Sequence, residues 1–165
     1  MASYSFDVTT GADLQEVDNA VNQAMKEVQQ RYDFKGTKCT IDFDRAKADL
    51  KLEADDDFRV NALFDILQGQ LIKRHVPVKN LTIGENEEVA GGRVRKNISL
   101  VQSIPADTAR EMVKAVKSQK LKKIQVAIQG DQLRVSGPSK DALQEVMGFL
   151  KEEDWGIELN FGNYR

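Results

Sequence analysis

The stretch IQVAIQGDQLRVSG, residues 124–137, reads as two strands joined by a tight turn. Ile124, Val126 and Ile128 alternate with other residues, Gly130-Asp131 reverses the chain, and Leu133 and Val135 carry the alternation back. A period of two broken by glycine is the signature of an antiparallel hairpin buried on one face. After the hairpin, Ser139 is placed as an N-cap, and Leu143, Val146, Met147 and Leu150 recur at helical spacing. Before it, Pro105 suits a first helical turn, and Ala109, Met112, Val113 and Val116 form a second apolar stripe. A strand over 94–101 opens this half, and a strand containing Ile157, Leu159 and Phe161 closes it after Gly156. The order is β-α-β-β-α-β.

The first half repeats that order. Tyr4 to Val8 alternates as a strand, and Leu14, Val17, Val21, Ala24, Met25 and Val28 stripe a helix. Asp13 with Glu16 suggests a capping box for that helix. Cys39, Ile41 and Phe43 alternate, as do Ala48, Leu50, Leu52 and Ala54, with Asp44 to Lys47 as a hairpin connection. Asp55-Asp56-Asp57 leads a helix striped by Val60, Leu63, Phe64, Leu67 and Leu71, and Leu81 to Ile83 forms a short last strand. Two such units predict an α+β fold of two tandem ferredoxin-like domains, each a four-stranded antiparallel sheet with two helices on one face. The glycine-bearing acidic segment 84–92 (GENEEVAGG) reads as the linker, dividing the chain into domains 1–88 and 89–165. The sequence leaves open an exchange of edge strands between the two.

The chain has 165 residues, 41% hydrophobic and 30% charged, which excludes wholesale disorder. It offers no apolar run long enough for a membrane helix, and its first residues, MASYSFDVTT, have neither a basic nor an apolar region, so no secretory signal is expected. One cysteine and one histidine exclude a disulfide framework and a zinc site built from those residues, and point to a reducing cytoplasm. Charge is uneven along the chain: residues 1–88 carry 11 Lys/Arg against 17 Asp/Glu, and residues 89–165 carry 13 against 9. A basic second half is the expected seat of phosphate groups.

Within it, Lys114, Lys117, Lys120, Lys122 and Lys123 cluster at the end of the helix, where the helix dipole also accounts for cations. The outward face of the second hairpin, Gln125, Ala127, Gln129, Gln132, Arg134 and Ser136, has no aromatic residue. That disfavours base stacking in the manner of RNA-recognition modules, while Gln129 and Arg134 could still hydrogen-bond a nucleotide. The loop Arg31-Tyr32-Asp33-Phe34-Lys35-Gly36 offers cations beside aromatics, a combination that can hold a base by stacking, and that equally closes a core at a helix end. Candidate binding residues are therefore Arg31, Phe34, Lys35, the five lysines, Gln129 and Arg134. No motif of nucleophilic, phosphate-loop or metal-dependent catalysis is present, so a non-catalytic protein without cofactors is expected.

The segments Ser5 to Val8, Asp13 to Val17, Asn19 to Val21, Arg31 to Lys35, Lys73-Arg74, Ile128 to Gly137, Asp141 to Met147 and Phe161 to Arg165 together resemble the bacterial YajQ family from end to end. Pro138 and Ala142 depart from the family pattern. The resemblance implies a small cytoplasmic bacterial protein of two ferredoxin-like domains, described as nucleotide-binding, with cyclic di-GMP signalling in some members. It implies no particular set of pocket residues. The expected partners are a purine nucleotide or cyclic dinucleotide, with RNA as an alternative and regulatory proteins as further partners. A protein-interaction or chaperone-like scaffold is the competing reading.

Overall fold

The computed structural model describes residues 3–165. Its elements are β1 (Tyr4–Thr9), α1 (Leu14–Gln30), β2 (Thr40–Asp44), β3 (Asp49–Ala54), α2 (Asp57–Lys73), β4 (Leu81–Ile83), β5 (Glu87–Val89), β6 (Arg93–Leu100), α3 (Ala106–Ser118), β7 (Gln125–Gln129), β8 (Gln132–Gly137), α4 (Lys140–Glu152) and β9 (Asn160–Gly162). The doubled β-α-β-β-α-β order is present, with β5 added between the halves.

Local chemistry sets the helix starts. Asp13 Oδ1 accepts from the Gln15 N–H at 3.0 Å, Asp56 Oδ1 from Arg59 at 2.8 Å, and Ser139 Oγ from Ala142 at 3.2 Å. Pro105 is itself the N-cap of α3, one position before the first turn. The expected capping box is not closed at α1. The Glu16 carboxylate instead accepts from Asn19 Nδ2 at 3.1 Å and pairs with Arg74 at 3.3 Å. At the end of α2, His75 takes the left-handed conformation usual for glycine (φ 60), and the Val76 N–H reaches back to the Leu71 carbonyl at 3.0 Å.

The two sheets assign the strands differently from a simple tandem reading. The chain divides into a continuous unit, Ala12–Val101, and a split unit made of the chain up to Gly11 together with Gln102–Arg165. The continuous unit has strand order β2-β3-β6-β4, with β5 also on β6, and the split unit has β7-β8-β1-β9. All pairings are antiparallel. Each unit is thus ferredoxin-like, but the first strands are exchanged. β6 fills the inner position between β3 and β4, and β1 fills the one between β8 and β9. The exchanged strands are inner ones, not edges.

This corrects the division at residues 84–92. The segment is no linker: Glu87–Val89 pairs with β6, Gly91 and Gly92 take positive φ in the turn between them, and the Gly84 N–H donates to the Asn97 carbonyl at 2.8 Å. The reason is geometric. Glycines supply a tight reversal as readily as a flexible spacer, and composition alone does not separate the two.

The alternation fixes which faces are buried. In the continuous unit Ile41, Leu50, Leu52, Ala54, Val94, Ile98 and Leu100 point toward α1 and α2, whose buried residues include Val17, Ala24, Leu63, Leu67 and Leu71. In the split unit Phe6, Val8, Leu133 and Val135 face α3 and α4, meeting Met112, Val116, Val146 and Leu150.

Charged cross-strand neighbours match the exchange. Asp7 on β1 lies opposite Arg134 on β8, and Glu53 on β3 lies opposite Arg95 on β6, with salt bridges of 2.8 and 3.0 Å. Arg93 adds a 2.8 Å bridge to Asp55. The exchange also removes most of the charge asymmetry between the halves. Counted by folded unit, the split unit carries 10 Lys/Arg and 10 Asp/Glu, and the continuous unit 14 and 16. Among the described residues, no helix is long and apolar enough to cross a membrane.

Candidate functional site

The loop that follows α1 builds a cavity, and its shape comes from a few local bonds. The Arg31 N–H donates to the Val28 carbonyl at 3.2 Å as the helix ends. Tyr32–Phe34 then winds one 3-10 turn, closed by the Lys35 N–H on the Tyr32 carbonyl at 3.1 Å. Gly36 adopts φ +78, where a side chain would be strained, and Thr37 Oγ1 donates back to the Phe34 carbonyl at 2.6 Å. The Phe34 ring is only 5% exposed and pins the loop to the core, while Tyr32 stands 88% exposed. Arg93 tethers the far end: its Nη2 donates to the Lys38 carbonyl at 2.7 Å while Nη1 holds Asp55 at 2.8 Å.

The resulting cavity of about 710 Å³ is lined by Arg31, Tyr32, Phe34 and every residue from Lys35 to Thr40, with Met25, Val28, Gln29 and Gln30 of α1 as its other wall. Its volume falls in the range of small-molecule sites, roughly 300–1,000 Å³. The lining contains three cations, Arg31, Lys35 and Lys38, and no Asp or Glu. Arg31 is already neutralised by a two-pronged bond to Asp33, both contacts at 3.0 Å, and its guanidinium lies 5.9 Å from the Phe34 ring centre. The Arg31 bond holds the Asp33 carboxyl below its usual range. Lys35 and Lys38 have no ion-pair partner among the described residues and supply the net positive charge. Burial pushes the Cys39 thiol upward, so the cavity holds a neutral thiol rather than a thiolate that would repel an anion.

A second cavity, about 680 Å³ beside the β2–β3 hairpin of the same unit, sets Asp42, Asp44 and Asp49 against Arg45, Lys47 and Lys51, so its lining has no net positive charge. Among the described residues, no cluster of His, Cys, Asp and Glu is arranged to hold a metal ion.

The structure separates the expected site residues into groups. Arg31, Phe34 and Lys35 line the 710 Å³ cavity of the continuous unit. Phe34, buried as it is, has no ring face open to a base; the exposed ring beside it is that of Tyr32. Lys114, Lys117, Lys120, Lys122 and Lys123 belong to the split unit, all exposed along α3 and the turn after it. Lys120 and Lys123 both take left-handed backbone there (φ 55 and 61). The cavities of 710, 680, 350 and 230 Å³ are lined by none of these five lysines. Gln129 ends β7 at the hairpin turn, opposite Gln132. Reading the residues in isolation missed Lys38 and Thr37. Lys38 carried a signal, since it flanks the same loop glycine as Lys35, but Arg93 reaches this loop only because β6 is exchanged.

Arg134 is engaged by a carboxylate. Its Nε and Nη2 donate to the Asp7 carboxylate at 2.8 and 3.3 Å, and Asn163 Nδ2 adds a third bond at 2.7 Å. Asp7 is 6% exposed, so the guanidinium is committed to compensating a buried charge. Arg134 bonding, with Asn163 assisting against the cost of burial, lowers the Asp7 pKa. A carboxylate lowered in the native state contributes stability that is present above its unfolded pKa, about 4, and is lost as pH falls through the native value. The split unit should therefore weaken below about pH 4 in urea titrations. Asp7→Asn should be less stable than wild type at neutral pH and show a flatter acid limb, and an unchanged limb would remove Asp7 from that role.

Comparison with known proteins follows the same lines. The profile of a family described as "Nucleotide-binding protein YajQ-like" matches residues 4–165. A relative from Geotalea uraniireducens (strain Rf4) is 49% identical over 161 residues, 98% of each chain, and is named a nucleotide-binding protein. One from Koribacter versatilis (strain Ellin345), named likewise, is 47% identical over 165 residues, covering 100% of this chain and 99% of the relative. A third, from Carboxydothermus hydrogenoformans, shares 45% over 166 residues with both chains covered in full, under the same name. With the profile and these relatives spanning almost every residue, the chain belongs to the YajQ-like family.

Proposed function

We propose that this protein binds a nucleotide without turning it over, and that the ligand sits in the 710 Å³ cavity at the end of α1. The observation that carries the reading is the lining: a wall with Lys35 and Lys38 unpaired, no carboxylate, and an exposed tyrosine at its rim. Phosphate oxygens meet the two ammonium groups, assisted by the Thr40 hydroxyl, while a base stacks on Tyr32. Names given to the relatives support the ligand class. A purine nucleotide fits this arrangement because a large ring system gains most from stacking. A cyclic dinucleotide such as cyclic di-GMP fits as well, its two phosphates matching two lysines, and would give the protein a regulatory role. RNA is the second reading, favoured by the exposed lysines of α3 and its following turn.

Isothermal titration against purine and pyrimidine mononucleotides, cyclic dinucleotides and short RNAs tests this. Saturable binding to a purine mononucleotide or cyclic dinucleotide, with a shallow salt dependence and no hydrolysis product, is expected. A steep salt dependence confined to RNA would move the function to the lysine surface. Silence across the panel would favour a protein-interaction or chaperone-like scaffold.

A further inference from the structure

We propose that β7 is a self-association edge, through which two copies of this chain join their split-unit sheets by antiparallel strand pairing. β7 is the outer strand of its sheet, and Gln125, Ala127 and Gln129 are exposed, with Ile128 at 47%. Exposed edges are ordinarily protected by charge, brevity or proline. The edge strand β2 follows that rule, presenting Asp42 and Asp44, and both β4 and β9 are only three residues long. β7 has none of these protections: its five residues, Gln125-Val126-Ala127-Ile128-Gln129, carry no charge and no proline.

The backbone is available for pairing. Gln129 lies opposite Gln132 across the two-residue loop Gly130-Asp131, so Gln125, Ala127 and Gln129 direct their N–H and C=O groups to β8. Those of Val126 and Ile128 therefore point away from the sheet, and among the described residues they have no backbone partner on that side.

The sequence of the strand selects a second copy as the occupant. It is nearly palindromic about Ala127, so a two-fold axis through that residue sets Val126 against the second copy's Ile128 and Gln125 against its Gln129. Apolar then meets apolar on the helix-covered face, and amide meets amide on the open face. Antiparallel pairing also keeps the two lysine-rich turns at opposite ends of the joint. Five residues a side make a small contact, so the dimer is weak and concentration-dependent.

Sedimentation velocity of the full chain from micromolar to roughly 1 mM, the range a small interface occupies, should show a reversible monomer–dimer equilibrium. A monomer throughout would overturn the proposal. Gln125→Glu together with Gln129→Glu sets like charges face to face and should weaken the dimer by roughly tenfold or more, while Gln125→Lys together with Gln129→Glu sets opposite charges there and restores it. Association insensitive to the paired glutamates, or not restored by the lysine–glutamate pair, would show that another surface is responsible. The register has its own check in a Cys39→Ser background, where Ala127→Cys would place two cysteine Cα atoms about 4.5 Å apart, within disulfide reach. Ala127→Cys should oxidise to a covalent dimer faster than Gln125→Cys. Equal rates would exclude pairing centred on Ala127, whether or not the charge variants lower stability.

Discussion

Replacing Phe6 with alanine should destabilise the unit that contains residues 102–165, by about 3–5 kcal/mol, the usual cost of deleting a buried phenylalanine. Phe6 is 1% exposed and packs against Phe161 and Tyr164 with ring centres 5.9 and 6.5 Å apart. Both partners come from the other end of the chain, because β1 is an inner strand of the split unit. Amide hydrogen exchange should therefore accelerate in β7, β8 and β9, while β2 and β3 keep their protection. The reciprocal change is Ile98→Ala on β6, also 1% exposed, which should cost about 2–5 kcal/mol in the unit formed by residues 12–101. If Phe6→Ala instead loosened β2 and β3, the first strand would belong to its own half and the exchange would be wrong.

Reversing Lys35 and Lys38 to glutamate together should weaken nucleotide binding by about 100-fold or more, since two charge-assisted contacts are lost and two repulsive ones gained. Both lysines are on the cavity wall without an ion-pair partner among the described residues, so the change breaks no salt bridge there. Folding should be little affected. Tyr32→Ala should cost about tenfold in affinity for purines and less for pyrimidines, as expected of a stacking platform. The control is the triple reversal Lys120, Lys122 and Lys123 to Glu in the split unit. Affinity for a mononucleotide should survive it with at most a small change from lost long-range attraction. Equal losses from the two sets would mean that general charge attracts the ligand, and a loss from the triple variant alone would put the phosphates on α3 and its turn.

The repeated element order, the buried faces and most helix caps were legible because each depends on neighbours within a few residues. Period-two alternation in β1, β3, β6 and β8 specifies which side of a strand is buried, and the structure buries those sides. It says nothing about which sheet a strand joins. Tyr4 to Thr9 and Arg93 to Leu100 both present apolar residues on one face, so either could occupy either inner slot. What distinguishes them is the placement of single charges, Asp7 for Arg134 and Arg95 for Glu53, over separations of 127 and 42 residues. Long-range pairs of that kind have no local pattern. The same ignorance misdirected the electrostatics, since assigning Asp7 and the basic residues of β6 by sequence half created an asymmetry that the folded units largely lack. The Arg31 to Gly36 loop was legible as a concentration of cations and aromatics. Which of its two rings is buried depended on the 3-10 turn, which turns Phe34 inward and leaves Tyr32 in solvent.

The placement of the ligand is tested most directly by titrating isotopically labelled protein with a purine nucleotide and with cyclic di-GMP while following backbone amide resonances. Saturable shifts should concentrate on Arg31 to Thr40 and the last turn of α1, with the Tyr32 ring protons moving upfield under a stacked base. Shifts concentrated on residues 114–123 instead, or no saturable shifts with any nucleotide, would contradict a nucleotide site in this cavity.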